Sequence, residues 1–390
     1  MITLIGYDGQ GPAPAARSRL AAATLVCGAE RHLSRTRVPP SARTVVMGDV
    51  DAAVQALLGH DGDSVVLTSG DPGFFGILRR LRAAGVSPEV HPAVSSVALA
   101  FARAGIDWSD ARIVSAHGRD PGPALAAVRA GGKLAVLTDA RTGPAEVAAV
   151  APPGARLVVC ERLGQADERV TCGRPHEIAG QRWTEPNVVL VLTAAGPAAT
   201  PWASGPPPPG PGWALPESAF AHRDGMVTKA EVRALALARL GPQAGQLIWD
   251  VGAGSGSVAV ECARLGAAVV AVERADPSHL HANAARHGVH LQVVTGEAPA
   301  VLGELPDPDA VFVGGGGAQV GDIVSACVAR GPRIVVVALA ALDRLAGVRR
   351  ALAPYAVDGV QLSAARLRPL GEACGLAAVN PVLLLWGTRP

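Results

Sequence analysis

Short runs of β-branched and aliphatic residues alternate with Ala/Leu/Arg-rich stretches along the first half of the chain. "ITLIG", "TLVCG", "TVVMG", "SVVLT", "ARIVSA", "KLAVLT", "RLVVCE" and "NVVLVLT" predict strands. "AAVQALLG", "GILRRLRAAG" and "SSVALAFARAG" predict helices between them. Near-continuous apolar strands separated by helices predict a mainly parallel, helix-covered sheet. From about residue 156 the gaps shorten, and antiparallel pairing is expected there. The second half is more regular. A helix "TKAEVRALALARLG" stops at Gly241 before Pro242. Strands "QLIWDVG", "AVVAVER", "HLQVVTG", "DAVFVGG" and "RIVVVALA" then alternate with helices "SVAVECARLG", "PSHLHANAARHG" and "GDIVSACVARG". "GVQLSAARLRPL" and "NPVLLLWGT" read as an antiparallel pair at the edge of a doubly wound sheet of about seven strands.

At 390 residues two α/β domains are the default. "AAGPAATPWASGPPPPGPGWALP" holds four consecutive prolines and favours an extended spacer. The domains are therefore expected at 1–195 and 218–390, with a linker at 196–217. Hydrophobic residues make up 49% of the chain, enough to bury large cores. With 3% aromatics and a formal charge of +2, the chain offers neither stacking platforms nor a basic field for nucleic acid. Of 35 basic residues, all but Lys133 and Lys229 are arginines. Six scattered cysteines without a C-x-x-C pair predict neither a zinc site nor a disulfide framework. "MITLIGYDGQ" lacks a basic leader, and no long apolar run is free of charge, Gly or Pro, so a cytoplasmic protein without membrane spans is expected.

Two glycine-rich turns follow strands. "WDVGAGSGSV" (249–258) opens a helix; Gly252, Gly254 and Gly256 permit positive φ and close approach of a ligand. Glu273 ends the next strand, where an acid can bind ribose hydroxyls. The G-x-G-x-G spacing with Asp250 ahead of it has the form of S-adenosylmethionine-dependent methyltransferases, with NAD as the runner-up. That donor carries no phosphate, and its ammonium suits an acid. "TGEAP" supplies Gly296, Glu297 and Ala298 where adenine sits in such folds. The other turn, "LTSGDPGFFG" (67–76), has no G-K-[ST], and Asp71 would repel a phosphate.

That stretch resembles the tetrapyrrole methylase family, together with "GAERHL" (28–33), "HPAVSSVALAFARAGIDW" (91–108) and "SAHGRD" (115–120), in that order. Within the family it is close to the branch that methylates a corrin precursor, departing from it at the glycine segment "IGYDGQGPAP". The second half resembles the partner activity of the same step through "GMVTKAEVRALALARL", "WDVGAGSGSVAVE", "AVER", "GEAP" and "VFVGGGG". The resemblance implies a tetrapyrrole-methylase fold of two α/β lobes followed by a doubly wound Rossmann-like methyltransferase sheet. It implies one S-adenosylmethionine site per domain and a tetrapyrrole (precorrin) substrate. The reaction would be two methyl transfers to meso carbons, with carbon dioxide lost from one acetate arm.

By resemblance the first donor site uses Gly70, Asp71, Pro72, Phe75, Ser95, Ser96, His117 and Gly118, with His117 a candidate base. The second uses Thr228, Gly252, Ala253, Gly254, Ser255, Gly256, Glu273, Glu297 and Ala298. Gly314 and Gly315 lie at the mouth of the sheet, on the substrate side. A substrate rich in carboxylates calls for arginine forks, and Arg233, Arg366 and Arg368 are the candidates; Arg233 is also a candidate catalytic residue. No metal is required. Histidines 279, 281, 287 and 290 crowd one region but sit on a predicted surface helix and loop. "HRD" (222–224) lacks any kinase context. Competing readings are an RNA methyltransferase, which would call for a basic aromatic face, a non-catalytic donor sensor, and methylation of the cobalt-containing ring. An assembly of identical chains is expected.

Overall fold

The computed structural model describes residues 1–8, 11–48, 50–193, 212–223 and 226–390. Residues 194–211, which take in most of the expected linker (196–217), lie outside them, as do Asp224 and Gly225. Five parallel strands form the first sheet: β1 (Ile2–Tyr7), β2 (Leu25–Gly28), β3 (Arg43–Val46), β4 (Ser64–Ser69) and β5 (Glu89–His91). Their order is β3-β2-β4-β1-β5. The second sheet holds β6 (Arg112–Ser115), β7 (Lys133–Leu137), β8 (Arg156–Glu161), β9 (Arg169–Gly173) and β10 (Asn187–Leu192), in the order β6-β7-β10-β8-β9. Only β6 and β7 pair parallel there; the rest are antiparallel, as the shortened gaps predict.

The third sheet comprises β11 (Leu247–Val251), β12 (Ala268–Glu273), β13 (Gln292–Thr295), β14 (Ala310–Val313), β15 (Ile334–Leu339), β16 (Ala356–Leu362) and β19 (Val382–Thr388). Its order is β13-β12-β11-β14-β15-β19-β16, with an antiparallel edge formed by β16 and β19. The stretch read as one closing strand, "GVQLSAARLRPL", is divided: β17 (Ala365–Leu370) leaves the sheet and pairs with β18 (Ala373–Ala378) as a separate hairpin.

Residues Leu247–Val251 of β11 are buried throughout, as a central parallel strand requires. Trp249 is wholly buried, and its indole N–H donates to the Pro306 carbonyl at 3.1 Å. One face of this sheet also takes a helix from the N-terminal half. Helix Gly122–Ala130 is alanine-rich; Ala127 and Val128 face the second sheet, while Ala126 joins the cluster of Ala268, Val270 and Val272. Between β13 and β14 the chain supplies only a short 3-10 turn, Ala300–Glu304. Small side chains let the incoming helix approach closely over that side. Among the described residues no helix is long and apolar enough to cross a membrane.

Candidate active site

In the third sheet the order passes from β11 outward to β12 and β13 on one side and to β14 and β15 on the other. Loops leaving β11 and β14 therefore diverge at the carboxyl edge and open a crevice. Gly252 there has φ +74°, and a Cβ on it would stand 2.9 Å from Gly315 Cα, so the two loops touch backbone to backbone at the strand ends before they part. Above Gly254 (φ +56°) a Cβ would meet nothing within 4 Å. The space beyond is a cleft of about 700 Å³.

Glu273 ends β12 beside this cleft. Its carboxylate accepts from the Gly254 amide at 2.7 Å and from the Ala275 amide at 2.9 Å, which fixes the acid against the glycine turn. Thr228, Gly252, Ala253, Gly254, Ser255, Glu273, Glu297, Ala298, Gly314 and Gly315 all line the cleft. Gly256 does not. It caps helix Ser257–Arg264 at φ +72°, and a Cβ there would press to 2.8 Å from Leu280 Cγ, so it serves chain packing.

Asp250 is likewise withdrawn. Its carboxyl is buried and accepts from the Ala259 amide at 2.9 Å, within the first turn of that helix. It therefore anchors the helix and does not face an ammonium. Burial pushes its pKa from 3.8 up to about 7; the Ala259 amide opposes this and the Glu273 charge adds to it. The folded pKa lies above the unfolded one, so the stability held by the protonated form is complete below pH 3.8 and is lost as pH rises through about 7. Asp250→Asn should thus melt above the native protein at pH 8, with the gain shrinking towards pH 5; a gain independent of pH would contradict this titration.

Two of the three candidate arginines, Arg233 and Arg366, are engaged within the chain. Arg233 is fully buried: its Nε donates to Glu261 at 2.6 Å, its other nitrogens bond to the Thr228 and Leu215 carbonyls, and Phe220 lies 4.7 Å away under the guanidinium. It ties the 214–228 segment to the sheet-covering helices and has no face for substrate. Arg366 grips Glu217 and Glu231, the latter at 2.9 Å, and holds the Glu217 carboxyl down to about 2. Arg368 is exposed on the β17–β18 hairpin. Neither of these two lines the cleft. The basic residues that do are Arg223, Lys229 and Arg274, and the His279 ring lies beside them. Of the other histidines, His287 bonds the Ala219 carbonyl at 3.0 Å and His290 packs on Gly131.

In the N-terminal half, Gly70 (φ +60°) follows β4 and sits so close to Ser95 that a Cβ would lie 3.0 Å from Ser95 Cα. Its amide donates to the Tyr7 carbonyl and its carbonyl accepts from Ala93, joining the ends of three strands. The Asp71 carboxylate is spent on its own turn, accepting from Gly73 at 2.8 Å, and Pro72 is buried beside it. Ser95 Oγ caps helix Ser96–Ala104 through the Ala98 amide, placing Ser96 in its first turn. Phe75 (φ +54°) projects 45% exposed, with the Arg119 guanidinium 5.3 Å from its ring centre. That contact brings the glycine loop of the first sheet against the 115–120 loop of the second. His117 is exposed there; its Nδ1 must donate to the Thr138 carbonyl at 3.0 Å, which leaves Nε2 as a proton acceptor. The Gly118 amide bonds Asp139 at 3.0 Å. A second cleft, of about 610 Å³, opens at the ends of β1 and β5, lined by Asp8, Gly11, Arg17 and Val94 among others; none of the residues chosen from the sequence lines it.

Comparison with known proteins follows this two-part geometry. Residues 10–179 match the model of Tetrapyrrole (Corrin/Porphyrin) Methylases, and residues 218–389 match the Precorrin methyltransferase domain. A precorrin-6Y C(5,15)-methyltransferase [decarboxylating] from Sinorhizobium sp is 34% identical over 97% of this chain and 93% of its own. The chain belongs to that family. Its members are S-adenosylmethionine-dependent C-methyltransferases. Partial relatives exist for a single activity. A cobalt-precorrin-7 C(5)-methyltransferase from Salmonella typhimurium is 36% identical over 44% of this chain and 89% of its own. A crystal structure of a precorrin-6y C5,15-methyltransferase from Geobacter metallireducens GS-15 is 30% identical, covering 45% of this chain and 97% of its own, with a TM-score of 0.43.

Proposed function

We propose that the chain methylates precorrin-6Y at C5 and C15 and removes the carboxyl of the C12 acetate arm, giving precorrin-8X for cobalamin synthesis. The N-terminal half carries C5 methylation, and the half from about 218 carries C15 methylation with decarboxylation. One observation carries the division of labour: two strand-end glycine loops of different design, at Gly70 and at Gly252, stand in separate sheets of one chain.

S-adenosylmethionine would supply an electrophilic methyl at each loop. In the C-terminal cleft, Gly252–Ser255 allow backbone-close approach, Glu273 presents its remaining acceptor capacity to ribose hydroxyls, and Ala298 offers an apolar wall for adenine. Gly314, Gly315 and the cations Arg223 and Lys229 line the same cleft and are left for a polycarboxylate ring, whereas Arg274 pairs with Glu297 at 3.7 Å. In the N-terminal half Gly70, Asp71, Phe75, Ser95, Ser96, Gly118 and the buried Pro72 shape the donor loop, and His117 Nε2 is the group that can take the meso proton. The ring carbon is already nucleophilic, so positioning and exclusion of water supply most of the acceleration. The protein works in the cytoplasm as an assembly of identical chains, with no nucleic-acid or membrane partner.

Incubation with methyl-labelled donor and precorrin-6Y should yield two labelled methyls and one carbon dioxide per ring. A product labelled only in RNA, or a single methyl without carbon dioxide, would overturn the reading.

A further inference from the structure

The motif "GAERHL" has no role in either site as described, yet it builds a cluster of its own. Helix Glu30–Leu33 follows β2 and brings two side chains against the end of β4. Arg31 Nη2 donates to Ser69 Oγ at 3.1 Å, and His32 Nε2 lies 2.9 Å from the same oxygen. The Tyr7 ring, at the end of β1, lies 5.5 Å from the His32 ring. Just beyond the helix, Arg35 Nη1 donates to Gln165 Oε1, which also accepts from Arg162 Nη2, each at 3.0 Å.

Gln165 and Arg162 lie between β8 and β9, in the unit of the second sheet. Arg35 and Arg162 therefore meet on Gln165 where the two lobes face each other, with Arg31 four residues earlier on Ser69. Their hydrogen-bond acceptors, Ser69 Oγ and Gln165 Oε1, are neutral. Arg162 is ion-paired with Asp167 at 2.6 Å, and Asp167 acts on Arg35 only through space; burial among its neighbours lowers the Arg31 pKa, and Glu185 opposes this through space. Arg31 and Arg35 make no ion pair among the described residues and remain exposed. A guanidinium has five donors, and these two spend few of them, so each keeps an edge for a carboxylate. His32 adds no charge at neutral pH, because burial and the two neighbouring arginines push its pKa down to about 4. Ser69, on which Arg31 and His32 converge, immediately precedes Gly70 of the donor loop.

We propose that Arg31 and Arg35 bind a carboxylate arm of the tetrapyrrole during methylation by the N-terminal half. This rests on that half being the C5 methylase. A ring anchored between the lobes beside Ser69 would have its edge next to the loop that holds the donor.

The test uses the full chain with precorrin-6Y, resolving the C5 and C15 products and measuring donor affinity separately. Arg31→Ala and Arg35→Ala should each raise KM for C5 methylation about tenfold, as loss of a charge-assisted bond does. Donor affinity and the C15 KM should stay within about twofold. Gln165→Ala removes the bridge between lobes without removing a cation, and should leave the C5 KM within about twofold. Unchanged KM in both arginine variants would overturn the assignment. So would a rise in Gln165→Ala equal to that of Arg35→Ala, which would make the cluster a clamp between lobes. A native chain giving no C5-methylated ring at all would instead overturn the C5 reading itself.

Discussion

Glu273→Ala should abolish C15 methylation while C5 methylation continues at close to its native rate. The carboxylate accepts two backbone amides, from Gly254 and Ala275, and so sets the shape of the glycine turn as well as presenting its charge to the donor. Hydrogen bonds to a charged group are worth about 1.5–3 kcal/mol each, so losing them with the ribose contact should lower C15 turnover at least about a hundredfold. Product analysis by carbon-resolved labelling checks this. Loss of both methylations together would undermine the assignment of one donor site to each half.

Arg233→Ala should be the most destabilising single change in the C-terminal half. It strands the Glu261 carboxylate, which is 1% exposed, without its cation. Breaking a buried pair from one side costs about 3–5 kcal/mol, or roughly 6–20 °C in Tm for a domain of this size. Arg233→Met with Glu261→Leu should recover part of that loss. It should not recover all of it, because the Ala214 and Leu215 amides that also donate to Glu261 would lose their acceptor. A thermal melt of Arg233→Ala within about 2 °C of native would show that the pair holds nothing together.

The contrast between these residues shows what could be read from sequence. Glu273 was legible because a strand, a glycine turn and a helix fix where the end of the next strand must lie. The doubly wound order and its antiparallel edge were legible for the same reason: buried parallel strands are near-continuous apolar runs. Strands β5, β9 and β18 escaped notice, since Glu89–His91 spans only three residues and the other two are largely exposed, with no apolar run to mark them. Arg233 has the charge of a substrate ligand but the position of a core residue. It occupies the stripe 233, 236, 237, 240, in which Ala236, Leu237 and Leu240 are all buried, and an arginine at that spacing points inward. Arg366 has no such signal, because Glu217 and Glu231 are its partners only once the chain has folded. The cations at the cleft were present beside motifs already noted: Lys229 follows Thr228, and Arg274 follows Glu273.

The measurement that bears most directly on one chain holding two methylation sites is the number of donor molecules bound. Titration calorimetry of S-adenosylmethionine into the native chain should give two equivalents, falling to one in Glu273→Ala. A single equivalent in the native protein, or two retained in the variant, would contradict it.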